Sequence, residues 1–296
     1  MDLDNIQVHF SPNGLLFLNI CLGYILFGIA LNLTIADFKL ILKQPKTILV
    51  GAFSQFIAFP FFTFLLVLLW KPAAPLALGM FLVAACPGGN ISNYITHLSK
   101  GNTALSITLT AIATVLAIFF TPINFAFYAS KYEATNALLH TIHLDFFDLL
   151  KSVFMLLAIP LCLGMIVRHY FPEFTKKTKQ FFSVTSLIIF VGFLVVACVN
   201  NFDNFKLYIK VIVLLVLVHN LLGFFLGYLI AKLAKLDMAS VKTITIETGI
   251  QNAGLGLVLI FNFFGGMGGM ALIAAWWGIW HIIAGLILST ILRRKV

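Results

Sequence analysis

The chain has 296 residues, 61% of them hydrophobic and only 10% charged, and 19 Lys and Arg against 10 Asp and Glu leave a net charge of +9. Soluble domains carry roughly 25% charged residues and about half apolar ones, so a cytosolic enzyme, a nucleic-acid-binding domain and a disordered chain are excluded. A mean hydropathy of +1.06 and 31 Phe point instead to an all-α, multi-span membrane protein.

A helix needs about 20 mostly apolar residues to cross the hydrocarbon core. Nine segments meet that length, at about 14–33, 47–70, 74–99, 103–129, 149–169, 181–200, 207–231, 240–264 and 270–292. The runs are continuously apolar rather than alternating, which excludes a transmembrane barrel. Met1-Asp2-Leu3-Asp4 lacks a cationic leader, so the first span is expected to insert uncleaved. With the N-terminus outside and the C-terminus inside, 14 basic residues lie on the inner side and 5 (Lys71, Lys131, Lys151, Lys206 and Lys210) on the outer. The bias is the positive-inside signature. It makes anionic lipid headgroups the partner of the basic excess, with no need for nucleic acid.

Cys21, Cys86, Cys162 and Cys198 all fall inside spans without metal-ligand spacing and read as small apolar packing residues. The 7 His form no paired metal motif. The sequence holds no phosphate-binding loop, nucleophile elbow or dinucleotide fingerprint, so nothing supports ATP-driven transport or hydrolysis.

Two spans are unsuited to plain helix. Span three carries Cys86-Pro87-Gly88-Gly89-Asn90-Ile91-Ser92-Asn93, and span eight carries Glu247-Thr248-Gly249-Ile250-Gln251-Asn252-Ala253-Gly254. Proline removes a backbone donor and paired glycines weaken a helix. Unwound backbone survives at membrane depth only inside protein or beside water. Spans three and eight lie five apart, so a five-span repeat would set its copies in opposite orientations. That arrangement, with broken helices in corresponding places, points to the midplane site of a secondary transporter.

Glu247 is the one acid near the middle of a span; the other nine lie in termini, connections or span ends. A charged carboxylate there costs roughly 2.5–3.5 kcal/mol on insertion scales. With no Lys or Arg at mid-span, a proton or a metal ion is left to offset it. Hard cations take carboxylate, amide, hydroxyl and carbonyl oxygens, and such groups surround the breaks. Ser92 and Asn93 follow the first. Ser106 and Thr110 share a face of span four, Gln251 follows Glu247 by four, and Gln55 sits in the middle of span two.

Through Cys86–Asn93, Lys100–Ser106 with Thr110, and Glu247–Asn252, the sequence resembles the bile acid:sodium symporter family. Weaker echoes occur at Asp37-Phe38, Pro45-Lys46, Gln55-Phe56, His219-Asn220 and Trp280-His281, so the resemblance runs nearly the length of the chain. The resemblance implies one transporter domain over 1–296. A core (47–70, 74–99, 103–129, 207–231, 240–264, 270–292) would move against a panel (14–33, 149–169, 181–200). It implies two sodium ions: one held by Ser92, Asn93, Ser106, Thr110 and Glu247, the other by Gln55, Glu247 and Gln251 with carbonyls near Thr248 and Ile250. An organic anion, a bile acid or a small carboxylate, would lie near Asn90, Asn252 and His281. Asn90 stands where relatives often carry Thr, and Ile282 follows His281 where Asn can occur. Ten-span bacterial relatives have a first helix that this chain is expected to lack. The implied setting is a bacterial inner membrane.

The expected mechanism is sodium-coupled symport by alternating access, with the half-helix after Gly89 presenting its free N–H groups and positive dipole end to the anion. The alternatives are a proton-coupled organic anion transporter or a sodium/proton exchanger using Glu247, a channel, and, least supported, an intramembrane enzyme.

Overall fold

The computed structural model describes residues 12–31, 45–141, 146–200 and 202–294, and every regular element among them is helical. In chain order they are α1 (Pro12–Ala30), α2 (Pro45–Trp70), α3 (Ala74–Ala85), α4 (Ile91–Leu98), α5 (Thr103–Lys131) and α6 (Glu133–Thr141). There follow α7 (Phe146–Tyr170), α8 (Pro172–Asn200), α9 (Phe202–Leu233), α10 (Met238–Gly249), α11 (Ala253–Phe263) and α12 (Gly268–Arg294). The N-terminal Met1–Asp4, the echo at Asp37-Phe38, and Lys39, Lys43 and Lys295 lie outside the described residues.

Five stretches are long and apolar enough to cross a membrane: Pro45–Trp70, Thr103–Lys131, Val153–Tyr170, Ile209–Leu233 and Gly268–Arg293. Phe17, Leu69, Phe127, Ile159, Leu214 and Ile287, on six different helices, expose their side chains, as a lipid-facing surface requires. The interrupted helices occupy the inside. Every residue of α3 from Pro75 to Ala85 and of α10 from Ser240 to Gly249 is buried.

Local chemistry sets the boundaries. Proline suits the first helical turn, where no intrahelical donor is needed, and Pro12, Pro45, Pro75 and Pro172 open α1, α2, α3 and α8. Pro87 forces the residue before it out of helical geometry, and Cys86 ends α3 with ψ 156°. The side chains of Asn102, Asp237 and Asn252 cap α5, α10 and α11 by accepting from Leu105, Ser240 and Leu255 N–H at 3.0 Å each.

Pro60 distorts α2. It has no N–H to offer Phe56 O four residues back, and Ser54–Ala58 winds as a π-turn in which Phe59 N–H reaches Ser54 O.

α9 approaches α10 backbone to backbone. A Cβ on Gly223 would sit 3.1 Å from Thr248 O, and one on Gly227 would sit 2.7 Å from Ile244 O. Small residues four apart permit this approach between membrane helices. Lys242, one of the 14 basic residues expected on the inner side, is buried on α10 and donates to Ser99 O at 3.2 Å, just past the end of α4. The ammonium therefore meets the negative end of a helix dipole. Between α1 and α11, Asn19 and Asn262 exchange amide hydrogen bonds at 2.9 and 2.6 Å.

Gly227→Val is expected to destabilise the protein by about 1–3 kcal/mol through overpacking, read as a lower thermal unfolding midpoint in detergent. The Ser240 hydroxyl, then the Ser240 N–H, hold the Asp237 carboxyl below its ordinary value of 3.8. A carboxylate held low in the folded chain stabilises it above the ordinary value, and that contribution is lost as pH falls through the folded one. Asp237→Ala should lose about 1 kcal/mol at neutral pH, with the gap to the unsubstituted protein closing below about pH 4.

Candidate cation site at the crossing of two interrupted helices

The interruptions meet. Between α3 and α4 the chain runs extended at Gly88, and between α10 and α11 at Gln251, and the two form an antiparallel pair. Gly89 N–H donates to Ile250 O, and Asn252 N–H donates to Pro87 O, each at 2.8 Å. Glycine is needed here for space. A Cβ on Gly88 would lie 2.6 Å from Glu247 Oε1, and one on Gly89 2.9 Å from Gln251 O.

Glu247, 4% exposed, points into this crossing from the last turn of α10. Its Oε2 accepts from the hydroxyls of Ser92 at 2.6 Å and Ser106 at 3.1 Å, and its Oε1 accepts from Thr110 at 2.5 Å. Asn93 Oδ1 lies 3.4 Å from Thr110 Oγ1. All five residues of the first sequence-predicted set thus gather around one carboxylate, delivered by α4, α5 and α10. Ser106 and Thr110 act from one face of α5, as their spacing predicts. Among the described residues no group of three or more His, Cys, Asp and Glu converges. The donor set is one carboxylate with neutral hydroxyl and amide oxygens. Its single negative charge and hard oxygens fit a monovalent hard cation better than a transition metal.

The second set is brought together in part. The side chains of Gln55 and Gln251 pair with each other, at 2.7 Å from Gln55 Nε2 and 3.3 Å from Gln251 Nε2. Gln55 Nε2 also donates to Cys86 O at 2.9 Å, and Gln251 Nε2 to Thr248 O at 2.6 Å. The Ile250 carbonyl serves Gly89, as above. Each carbonyl keeps a second lone pair, so Thr248 O and Ile250 O remain able to accept. Glu247 gives its oxygens to the hydroxyls of the first set, but it lines one small cavity together with Gln55, Gly51 and Leu109.

Of the three residues expected near an anion, Asn90 and Asn252 follow directly on the paired backbone. Asn90 is exposed at the start of α4, and Asn252 is half-buried with its carbonyl oxygen engaged in capping α11. His281 is buried on α12, which packs against α4, and its Nδ1 has no hydrogen-bond partner.

From the sequence, no role falls to the side chains of Ser54, Thr121 and Asn124, and Thr248 is named only for its carbonyl and Asn220 only as a family echo. The hydroxyls of Ser54 and Thr248 lie 2.9 Å apart. Thr121 donates to Ala85 O at 2.7 Å, Asn124 to Phe56 O at 2.8 Å and Asn220 to Gly249 O at 2.7 Å. The available signal is a polar side chain within an otherwise apolar span, as at Thr121 and Asn124.

Comparison with known proteins finds similar sequences. The sequence profile of the Sodium Bile acid symporter family matches residues 19–208. The sodium-dependent transporter YocS of Bacillus subtilis is 33% identical over 280 residues, 95% of this chain and 84% of its own. A chloroplastic protein of Arabidopsis thaliana named as a probable sodium/metabolite cotransporter, BASS1, is 33% identical over 274 residues, 91% of this chain and 65% of its own. The P3 protein of Homo sapiens is 28% identical over 255 residues, 85% of this chain and 52% of its own.

Thr110→Val keeps the side-chain shape and leaves Glu247 Oε1 short of a donor. It should lower stability by about 1–3 kcal/mol in thermal unfolding, and Thr110→Ser should recover most of the loss.

Proposed function

The chain belongs to the sodium bile acid symporter family, and on that premise we propose that it is a secondary transporter moving an organic anion, a bile acid or a small carboxylate, together with sodium by alternating access. Members similar to it are named transporters and cotransporters rather than enzymes, and its apolar helices make it an integral membrane protein. The observation that carries the proposal is Glu247, a buried acid held by Ser92, Ser106 and Thr110 where two helices are interrupted.

Sodium is cargo in this scheme. Bound among Ser92, Asn93, Ser106, Thr110 and Glu247, it balances the carboxylate charge. A second ion takes Gln55, Gln251, Glu247 and the carbonyls of Thr248 and Ile250 once the glutamine amides release each other. The hydroxyls of Ser92, Ser106 and Thr110 turn their lone pairs to the ion and their protons elsewhere. The crossing is thereby fixed, and the positive dipole end of α4 is aimed at the anion beside Asn90, Asn252 and His281. Coupling is reciprocal: if sodium tightens anion binding, the anion tightens sodium binding by the same factor. Two sodium ions with a monoanion carry one net charge inward, worth about 2.3 kcal/mol per 100 mV.

Nine spans, with the N-terminus outside and the C-terminus inside, an inverted repeat, and a core moving against the panel of α1, α7 and α8 complete the proposal. The bacterial inner membrane is its proposed setting. The spacing of the two interruptions and the bias of basic residues support these features.

In proteoliposomes, a sodium gradient should drive uptake of labelled bile acids or short carboxylates, and an inside-negative potential should accelerate it. Glu247→Gln should abolish the sodium-stimulated part while the protein remains folded in the membrane. Undiminished sodium-dependent uptake by that variant would refute the assignment, and uptake driven by a pH gradient without sodium would favour proton coupling at Glu247.

A further inference from the structure

Three carbonyls beside the crossing lose their helical donors for identifiable reasons. Phe56 O would be served four residues on by Pro60, which has no N–H. Ala85 O would be served by Gly89 N–H, which is given to Ile250 O. Gly249 O would be served by Ala253 N–H, which is given to Gln251 O. Buried carbonyls in an apolar interior need partners, and each of these finds one on an uninterrupted neighbouring helix. Asn124 and Thr121 of α5 take Phe56 O and Ala85 O, and Asn220 of α9 takes Gly249 O. Thr121, Asn124 and Asn220 are all buried, at 1%, 9% and 0% exposure.

The held carbonyls adjoin the proposed ligands. Phe56 follows Gln55 in the π-turn, Ala85 precedes Cys86, whose carbonyl anchors Gln55, and Gly249 lies between Thr248 and Ile250.

We propose that Thr121, Asn124 and Asn220 are positioning residues for cation binding, clamping the three irregular segments that present Gln55, Gln251 and the carbonyls of Thr248 and Ile250. The proposal rests on the reading of the crossing as a sodium site. None of the three touches the ion. They act by setting the backbone from which the ligands project, as partners behind metal ligands do elsewhere, where their loss weakens binding roughly 10–100-fold.

The test uses purified full-length protein in detergent, titrated with NaCl in exchange for KCl at constant ionic strength, with thermal unfolding as the readout. A ligand bound by the folded state raises the midpoint according to its concentration relative to Kd. Thr121→Val, Asn124→Leu and Asn220→Leu remove the donor with little change of volume. Each should raise the sodium concentration for half-maximal stabilisation about tenfold or more, beyond any lowering of the midpoint in KCl alone. Thr121→Ser should restore it.

Tyr24→Phe, which removes a hydroxyl 2.6 Å from Thr185 Oγ1 between α1 and α8, should lower the midpoint without moving the sodium dependence. Where a leucine variant does not accumulate, Asn124→Ser or Asn220→Ser takes its place with the same expected direction. A sodium dependence within about twofold of the unsubstituted protein would overturn the role of that residue. If the unsubstituted protein gains nothing from sodium over potassium, the cation site itself is overturned and the positioning role with it.

Discussion

The structure depends on one constraint: a backbone carbonyl inside an apolar interior must find a donor. Where α3 and α10 stop short, their last carbonyls are met from three directions. The extended segments serve each other through Gly89 and Asn252. Glutamines from the site serve Cys86 O and Thr248 O. Intact helices serve Ala85 O and Gly249 O. The same bonds that make the interruptions tolerable also converge polar side chains on a single carboxylate. Irregular backbone and polar chemistry are therefore one feature of the fold, which explains why the least regular helices are also the most completely enclosed.

Glu247 sets the electrostatics of that enclosure. Three hydroxyls satisfy its oxygens, yet hydroxyls supply dipoles rather than net charge. Lys242, a buried cation on the same helix, is spent on the end of α4. Each of those hydroxyls can reverse its role by rotating its proton away and presenting a lone pair. On the proposed reading, the site exchanges hydrogen bonds for ion contacts without moving its heavy atoms far. The amide pair of Gln55 and Gln251 offers the same exchange on the other side.

Much of this was legible in the sequence because the relevant signals are local. Pro87 with Gly88 and Gly89 marks an interruption, and Ser106 and Thr110, one turn apart, share a face wherever the helix is placed. A lone acid amid apolar residues announces a site. Other features depend on partners far along the chain. Thr121, Asn124 and Asn220 serve carbonyls 36, 68 and 29 residues away, and no pattern within α5 or α9 names those carbonyls. α6, only 9 residues long, is too short for a ruler based on membrane thickness. Pro87, Gly88 and Gly89 mark the interruption but not its exact end, and α4 begins at Ile91, because apolar content does not record where helical hydrogen bonding resumes.

The π-turn in α2 bears on how such a transporter tolerates change in chain length. Each residue of an ordinary helix advances the azimuth by about 100°, so the widened turn at Ser54–Ala58 puts the two halves of α2 out of phase with each other. Deleting one residue there would leave hydropathy and composition nearly untouched and the span still long enough for the bilayer. It would nonetheless remove the widened turn from which Gln55 reaches Cys86 and Gln251 and from which Phe56 presents its carbonyl to Asn124. In this part of the molecule, residue count is as specific an instruction as residue identity.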